Sequence, residues 1–145
     1  MIERDFKVRI TYDGASHYGV RRRDYQGNFL PYCSRFIDEE NHSLNFLNLN
    51  FENLMEEVIW LFAPKNVEVR FLQYFLQFKR RPTLIMLFLQ RDTLPPGLLL
   101  AKKHASQLRQ YVNHHYLTKA VKNKQAREIF RFSGVLHVCL IPACV

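Results

Sequence analysis

The sequence predicts a single α+β domain at residues 1–145, with a mostly antiparallel sheet and two or three helices on one face. Three observations support this prediction. The chain has 145 residues, which is the size of one ordinary domain. Its composition, 48% hydrophobic and 14% aromatic with five Gly and six Pro, is that of a globular chain rather than a disordered one. Its apolar patterns follow the order β-β-β-α-β-β-α-β, and no linker or repeat divides them.

The first three elements are predicted strands. Residues 6–12 alternate apolar and polar side chains, which is the pattern of a half-buried strand. A polar stretch punctuated by glycines follows, and we interpret it as a loop. Further strands are predicted at 28–37 and 43–47, on either side of an acidic turn at 38–40.

Residues 50–63 carry the clearest helical pattern. Their apolar side chains recur at spacings of three and four residues, Asn50 can cap the first turn, and Pro64 ends the segment. On a helical wheel Trp60 is the exception, because it lies between Glu56 and Glu57 on the polar side. Trp60 is then either an exposed anchor for a partner or a side chain covered by a loop.

Residues 66–81 fit two interpretations. Their polar residues follow a helical stripe, whereas their Val, Phe and Tyr content suits a strand paired with residues 83–89 across a turn at Pro82. We favour the hairpin, because 83–89 is an apolar run that needs covered neighbours.

A second helix is predicted from about residue 95 to 113. On its wheel Lys102, Lys103 and Arg109 share one exposed face, which is long enough to meet two or three phosphates of one nucleic-acid strand. The pattern of residues 132–142 then predicts a closing strand.

Charge is distributed unevenly along the chain. The net charge is +8, but residues 1–58 balance to −3 and residues 59–145 to +11. Such a division predicts a basic surface directed at a polyanion or an acidic partner, although a base excess can also serve only to keep a hydrophobic protein in solution.

The basic residues fall into four groups that are candidates for binding nucleic acid. One is the predicted helical face, and another lies in residues 117–131, whose apolar side chains form no stripe that would anchor a helix. The other two lie in predicted turns. The full set is Lys102, Lys103, Arg109, Lys119, Lys122, Lys124, Arg127, Arg21, Arg22, Arg23, Lys79, Arg80 and Arg81.

These patterns predict a non-enzymatic protein that binds nucleic acid, or a nucleic-acid–protein complex, through its basic C-terminal half. The alternative is a protein–protein interaction module with Trp60 as its anchor, such as an inhibitor or a small subunit of a larger assembly, for example from a mobile element or a phage. A third hypothesis is a metal-dependent nuclease or a thiol enzyme. The partner is thus DNA, RNA or an acidic protein surface, and the sequence does not indicate an oligomeric state.

No catalytic residue, metal site or cofactor is predicted. Cys33, Cys139 and Cys144 form no paired motif, and we expect Cys33 and Cys139 to be core residues of a protein kept in a reducing compartment. The longest apolar run is far shorter than a membrane helix, and residues 1–10 do not resemble a signal peptide. These observations predict a cytoplasmic protein with no membrane partner.

Overall fold

The structure is a computed structural model that describes residues 2–16, 23–24, 26–34, 41–112 and 134–145. The strands, numbered along the chain, are β1 Tyr12–Asp13, β2 Cys33–Ser34, β3 Ser43–Leu44, β4 Val58–Leu61, β5 Thr83–Gln90, β6 Gln107–Tyr111 and β7 Val135–Ile141. The α-helices are α1 Ile2–Phe6, α2 Glu68–Leu76 and α3 Leu98–His104. Five strands form one sheet in the order β1-β4-β5-β7-β6, and β2 pairs with β3 separately. The predicted α+β class is confirmed.

The sheet is mixed rather than purely antiparallel, and its antiparallel pairings join more residues than its parallel ones. β1, β4 and β5 are parallel neighbours, and β7 is antiparallel to both β5 and β6. Among these five strands, β7 is therefore the one that runs opposite to the rest. The carboxyl ends of β1, β4, β5 and β6 consequently lie at the same end of the sheet.

The parallel pairing of β4 with β5 follows from the conformation of the chain between them. Residues 66–81 contain α2 rather than the favoured strand, so the hairpin interpretation was wrong. Leu72 and Phe75 of α2 are fully buried, whereas Arg70, Gln73 and Gln77, which belong to the polar stripe of the helical interpretation, are exposed. Two parallel strands need a crossover connection, and α2 supplies it.

The prediction of a helix at residues 50–63 was also wrong. Asn50 does cap a turn, since its side chain accepts a hydrogen bond from the N–H of Glu52, but this turn is a short 3₁₀ helix at Phe51–Leu54. The chain then enters β4, which lies between two parallel neighbours. A strand in that position is buried on both faces, which explains why Ile59 and Trp60 are both apolar and both buried.

The second predicted helix ends early. α3 stops at His104, Ala105 is extended, and the N–H of Ser106 donates to the carbonyl of Leu140. Residues 107–111 then form β6 at the edge of the sheet, and no other described strand pairs with its outer side. The predicted closing strand is confirmed as β7.

Apolar residues cover both faces of the sheet. The larger core lies between the sheet and α2 with α3, and it includes Leu84 and Met86 of β5. The smaller core lies on the opposite face, where α1 packs over Ile85 and Leu87. The expectation that the helices share one face therefore holds for α2 and α3 but not for α1, because the alternate side chains of a central strand are apolar on both sides.

The remaining strand predictions hold in part. The predicted strand at 6–12 is a strand only at its end, in β1, because residues up to Phe6 belong to α1. β2 and β3 lie within the strands predicted at 28–37 and 43–47. Cys33 and Cys139 are buried, as expected. Within the described residues no helix is long and apolar enough to cross a membrane.

Candidate functional site

Two lysines of α3 form the clearest exposed basic surface of the described residues. Lys102 and Lys103 lie in the last turn of the helix and are both exposed. No carboxylate of the described residues lies within 4 Å of either ammonium group. Their surroundings in the sequence are also free of acids, because no Asp or Glu occurs between Asp92 and Glu128. We call Lys102 and Lys103 the α3 lysine pair.

Arg109 does not belong to this surface, contrary to the helical-wheel prediction. It lies on β6 opposite Val138, so its side chain is on the α1 face of the sheet. Its Nη2 donates to the carbonyl oxygen of Asp5 at 2.9 Å, and its guanidinium lies 5.7 Å from the centre of the Phe6 ring. Residue 109 lies in a strand, where the helical spacing that aligned it with the α3 lysine pair does not apply.

The turn before β5 contributes two more exposed bases, Lys79 and Arg80. This turn lies at the amino end of β5, where Leu84 pairs with Ile141 and where α3 also ends. It has acidic neighbours, however. The ring of Phe78 packs on Phe51 with 5.1 Å between centroids, which places the 3₁₀ helix that carries Glu52 beside the turn.

Arg81 has a structural role. Its Nη1 donates to the carbonyl of Phe78 at 2.7 Å, and its Nε is buried without a hydrogen-bond partner in the described residues. Its backbone exchanges two hydrogen bonds with Cys144. Arg81 therefore closes the carboxyl end of α2, and its guanidinium is not directed at solvent as a phosphate ligand would be.

The other predicted basic residues are not brought to the α3 lysine pair. Arg23 lies beyond β1, where its guanidinium stacks 3.7 Å from the centre of the Phe29 ring. β1 and β6 are the two edges of the sheet, so roughly 19 Å separates them at the usual strand spacing. Six predicted residues lie outside the described residues: Arg21, Arg22, Lys119, Lys122, Lys124 and Arg127.

Trp60 is not an exposed side chain on a helix. It lies in β4 with 4% of its surface exposed and packs in the core beneath α1. A hot-spot residue must be reachable by the partner. Because Trp60 is buried, it lacks the exposure that the hypothesis of a protein-binding anchor requires.

A row of polar side chains crosses the sheet on the face that α3 covers, within electrostatic reach of Lys102. His137 of β7 pairs with Gln110 of β6, and its Nε2 lies 2.8 Å from Oε1 of Gln90 on β5. These three residues, which we call the polar row, lie toward the carboxyl ends of β5 and β6.

His137 is the unusual member of the polar row. It is 5% exposed, and its Nδ1 is buried without a hydrogen-bond partner in the described residues. Burial lowers the pKa of His137, and the positive charge of Lys102 lowers it further. An amide oxygen can only accept, so Nε2 carries the proton and Nδ1 is left as an unpartnered acceptor.

The cysteines do not form a nucleophilic site. Burial, together with the nearby charge of Asp13, raises the pKa of the Cys33 thiol to about 12. Burial raises the pKa of the Cys139 thiol to about 11 against the opposing effect of Lys102. Both thiols are therefore protonated at neutral pH, whereas catalysis requires a thiolate. Within the described part of the chain, no group of three or more His, Cys, Asp or Glu side chains could hold a metal ion.

A second polar cluster lies near β1. The hydroxyl of Tyr12 lies 2.7 Å from Nδ1 of His42, and burial raises the pKa of Tyr12. Asp13 and Ser34 are buried beside it, and Ser34 accepts a hydrogen bond from the Asn41 side chain. The cluster joins β1 and β2 to the two residues that precede β3.

Sequence analysis did not assign a role to His137 or its partners. One signal was present, since His137 is the single polar residue of an apolar run at 135–141. What the sequence did not contain was the register that brings Gln90 and Gln110 to it.

Comparison of the chain with models of known protein families and with the sequences of curated proteins found no match.

Proposed function

We propose that the protein binds nucleic acid non-enzymatically, with the α3 lysine pair as the centre of its contact with the phosphate backbone. The observation that carries the proposal is that Lys102 and Lys103 are exposed, lack a carboxylate neighbour among the described residues, and lie in a stretch of chain that has no acid. When the lysines neutralise phosphates, the polymer releases its counterions. This release favours binding without contacts to the bases.

The α3 lysine pair supports this proposal better than the turn before β5 does. Lys79 and Arg80 are also exposed, but their turn packs beside the 3₁₀ helix that contains the exposed Glu52, whereas the stretch of chain around the α3 lysine pair contains no acid. Lys79 and Arg80 lie at the same end of the sheet as the carboxyl end of α3. We further propose that the protein is cytoplasmic. The two buried, unpaired thiols support this location, because cysteines remain reduced there.

A salt series of binding measurements tests this function. Fluorescently labelled single-stranded DNA, duplex DNA and single-stranded RNA of equal length are titrated with the whole protein, and binding is followed by anisotropy. We expect dissociation constants of about 10⁻⁴ to 10⁻⁶ M near physiological salt. The logarithm of the association constant should fall linearly with the logarithm of the salt concentration. Absence of binding to all three polymers at low salt would contradict the proposal and return the acidic protein surface as the partner.

A further inference from the structure

The strip of sheet between α3 and the edge of β6 contains a buried polar atom without a partner. Nδ1 of His137 has no hydrogen bond within the described residues, although the ring is 95% buried. Buried polar groups in folded proteins are nearly always hydrogen-bonded, and an exception requires an explanation. Gln90 already occupies Nε2 and fixes the ring, so Nδ1 is held in place.

The groups around His137 favour an anion over a cation. From α3, Lys102 acts on the ring with its positive charge. From β7 the neighbour on the same face is Cys139, whose raised pKa keeps it neutral, while β5 and β6 supply the amides of Gln90 and Gln110. No carboxylate of the described residues contributes to the shift in the pKa of His137. A metal cation would therefore be repelled by Lys102 and would find no acidic ligand.

We propose that this strip is a phosphate site, at which Lys102 supplies the charge, Gln110 supplies amide donors, and His137 takes up one proton from solvent at Nδ1 as the phosphate binds. The proton converts Nδ1 from an acceptor into a donor to a phosphate oxygen, while Nε2 continues to donate to Gln90. No covalent bond forms or breaks. This inference rests on the proposed function for the identity of the polymer, but the site itself takes any phosphate group.

The site predicts that affinity depends on pH. Because binding is coupled to uptake of one proton, affinity should rise as pH falls from the titration midpoint of the bound protein to that of the free protein, by at most about tenfold for each pH unit, and should level off below both midpoints. Binding of a phosphodiester backbone by lysines alone would not change between about pH 6 and pH 8, because neither the lysines nor the diester titrates there, so this dependence is measured with the oligonucleotide. Leu108, which pairs with Cys139, and Gln110, which pairs with His137, lie on this face of β6, and both are exposed.

Nitrogen-15 NMR of the histidine rings in the whole protein tests the site. The His137 signals are assigned by their loss in His137→Gln, and the ring is titrated in chloride, with inorganic phosphate, and with a short single-stranded oligonucleotide at equal ionic strength. Without phosphate we expect the Nε2–H tautomer. With either phosphate source we expect the titration midpoint to rise by about half a pH unit or more, which corresponds to about threefold tighter binding by the protonated ring.

Two variants of α3 provide the matched comparison. Lys102→Ala should abolish the shift, whereas Lys103→Ala removes the same charge from the adjacent position and should retain it. A shift with inorganic phosphate alone identifies a site for free phosphate, and a shift with the oligonucleotide alone identifies the polymer backbone. An unchanged midpoint with both, or an Nδ1–H tautomer in the free protein, would overturn the proposal. If no polymer binds but inorganic phosphate still shifts His137, the proposed function fails and the phosphate site stands.

Discussion

Glu68 shows how one residue can be both a hydrogen-bond acceptor and a source of instability. It lies at the start of α2 with 1% of its surface exposed, and its Oε1 accepts the backbone N–H of Gly97 at 3.2 Å. Burial raises its pKa, and the Gly97 hydrogen bond and the charge of Lys65 oppose that shift only in part. The contact joins the first turn of α2 to the residue that precedes α3.

Replacing Glu68 by Gln should stabilise the protein at neutral pH. A carboxyl group whose pKa is raised by folding binds its proton more tightly in the folded state. The folded state therefore loses stability as pH rises from the ordinary carboxyl pKa of 4.5 through the raised pKa of the folded protein. Gln retains an acceptor for Gly97 and cannot ionise. We expect Tm to rise by at least about 2 °C at pH 7, where each kcal/mol corresponds to about 2–4 °C. The difference between variant and wild type should vanish near pH 4, and an equal difference at both pH values would contradict this explanation.

Trp60 provides a second test at the scale of one residue. Because it is 4% exposed in the core beneath α1, its emission should be that of a buried indole and should resist quenching by iodide. Trp60→Ala should reduce the free energy of unfolding by about 3–5 kcal/mol, which is the cost of removing a large core side chain. Ready quenching together with a small loss of stability would instead revive the exposed anchor.

At the scale of elements, the short helix α1 fastens the edge strand β6. Tyr111 at the end of β6 donates its hydroxyl proton to Oδ2 of Asp5 at 2.7 Å, and Arg109 donates to the carbonyl of the same residue. Phe6 and Ile2 are buried against the sheet beside them. The N-terminal helix and the edge strand, about a hundred residues apart in sequence, are thus held by polar contacts around one aspartate.

Tyr111→Phe should weaken this junction. The substitution keeps the ring but removes the hydroxyl, so a carboxylate with little exposed surface loses a hydrogen bond and stability should fall by about 1 kcal/mol. Arg4→Ala is the matched control, because Arg4 also contacts Asp5 but its side chain is 71% exposed, and such a pair contributes about 0.5 kcal/mol or less. Chemical denaturation of both variants measures the difference. Equal losses would show that the Tyr111 hydroxyl has no special part in the junction.

Elements that depend on local periodicity were predictable, and those that depend on neighbours were not. The apolar run of β5 and the pattern of β7 identified both strands. Residues 50–63 show helical spacing, yet they contain β4, because pairing with β1 and β5 outweighs local preference. The α3 lysine pair was correctly predicted to be exposed, but Arg109 was assigned to the same face because the end of α3 leaves no clear sequence signal. The polar row depends on strand register, which no single segment contains.

At the scale of the whole molecule, the sheet separates basic side chains that the net charge counts together. The α3 lysine pair lies on the face covered by α2 and α3, Arg109 lies on the α1 face, and Arg23 lies beyond the opposite edge. A single polymer strand on α3 therefore does not meet Arg109 or Arg23. The proposed binding therefore belongs to a local surface rather than to the net charge of +8.

The most direct test of this account is the salt dependence of binding in two charge-matched double variants. Lys102→Ala with Lys103→Ala removes the α3 lysine pair, and Lys65→Ala with Arg70→Ala removes two other exposed bases at the amino end of α2. Both variants lose the same net charge. We plot the logarithm of the association constant against the logarithm of the salt concentration. In the first variant we expect the slope to decrease in magnitude by about 1.4 for single-stranded DNA and by about 1.8 for a duplex. In the second variant we expect no change in slope. Equal slopes in the two variants would contradict a site on α3 and leave only a nonspecific effect of net charge.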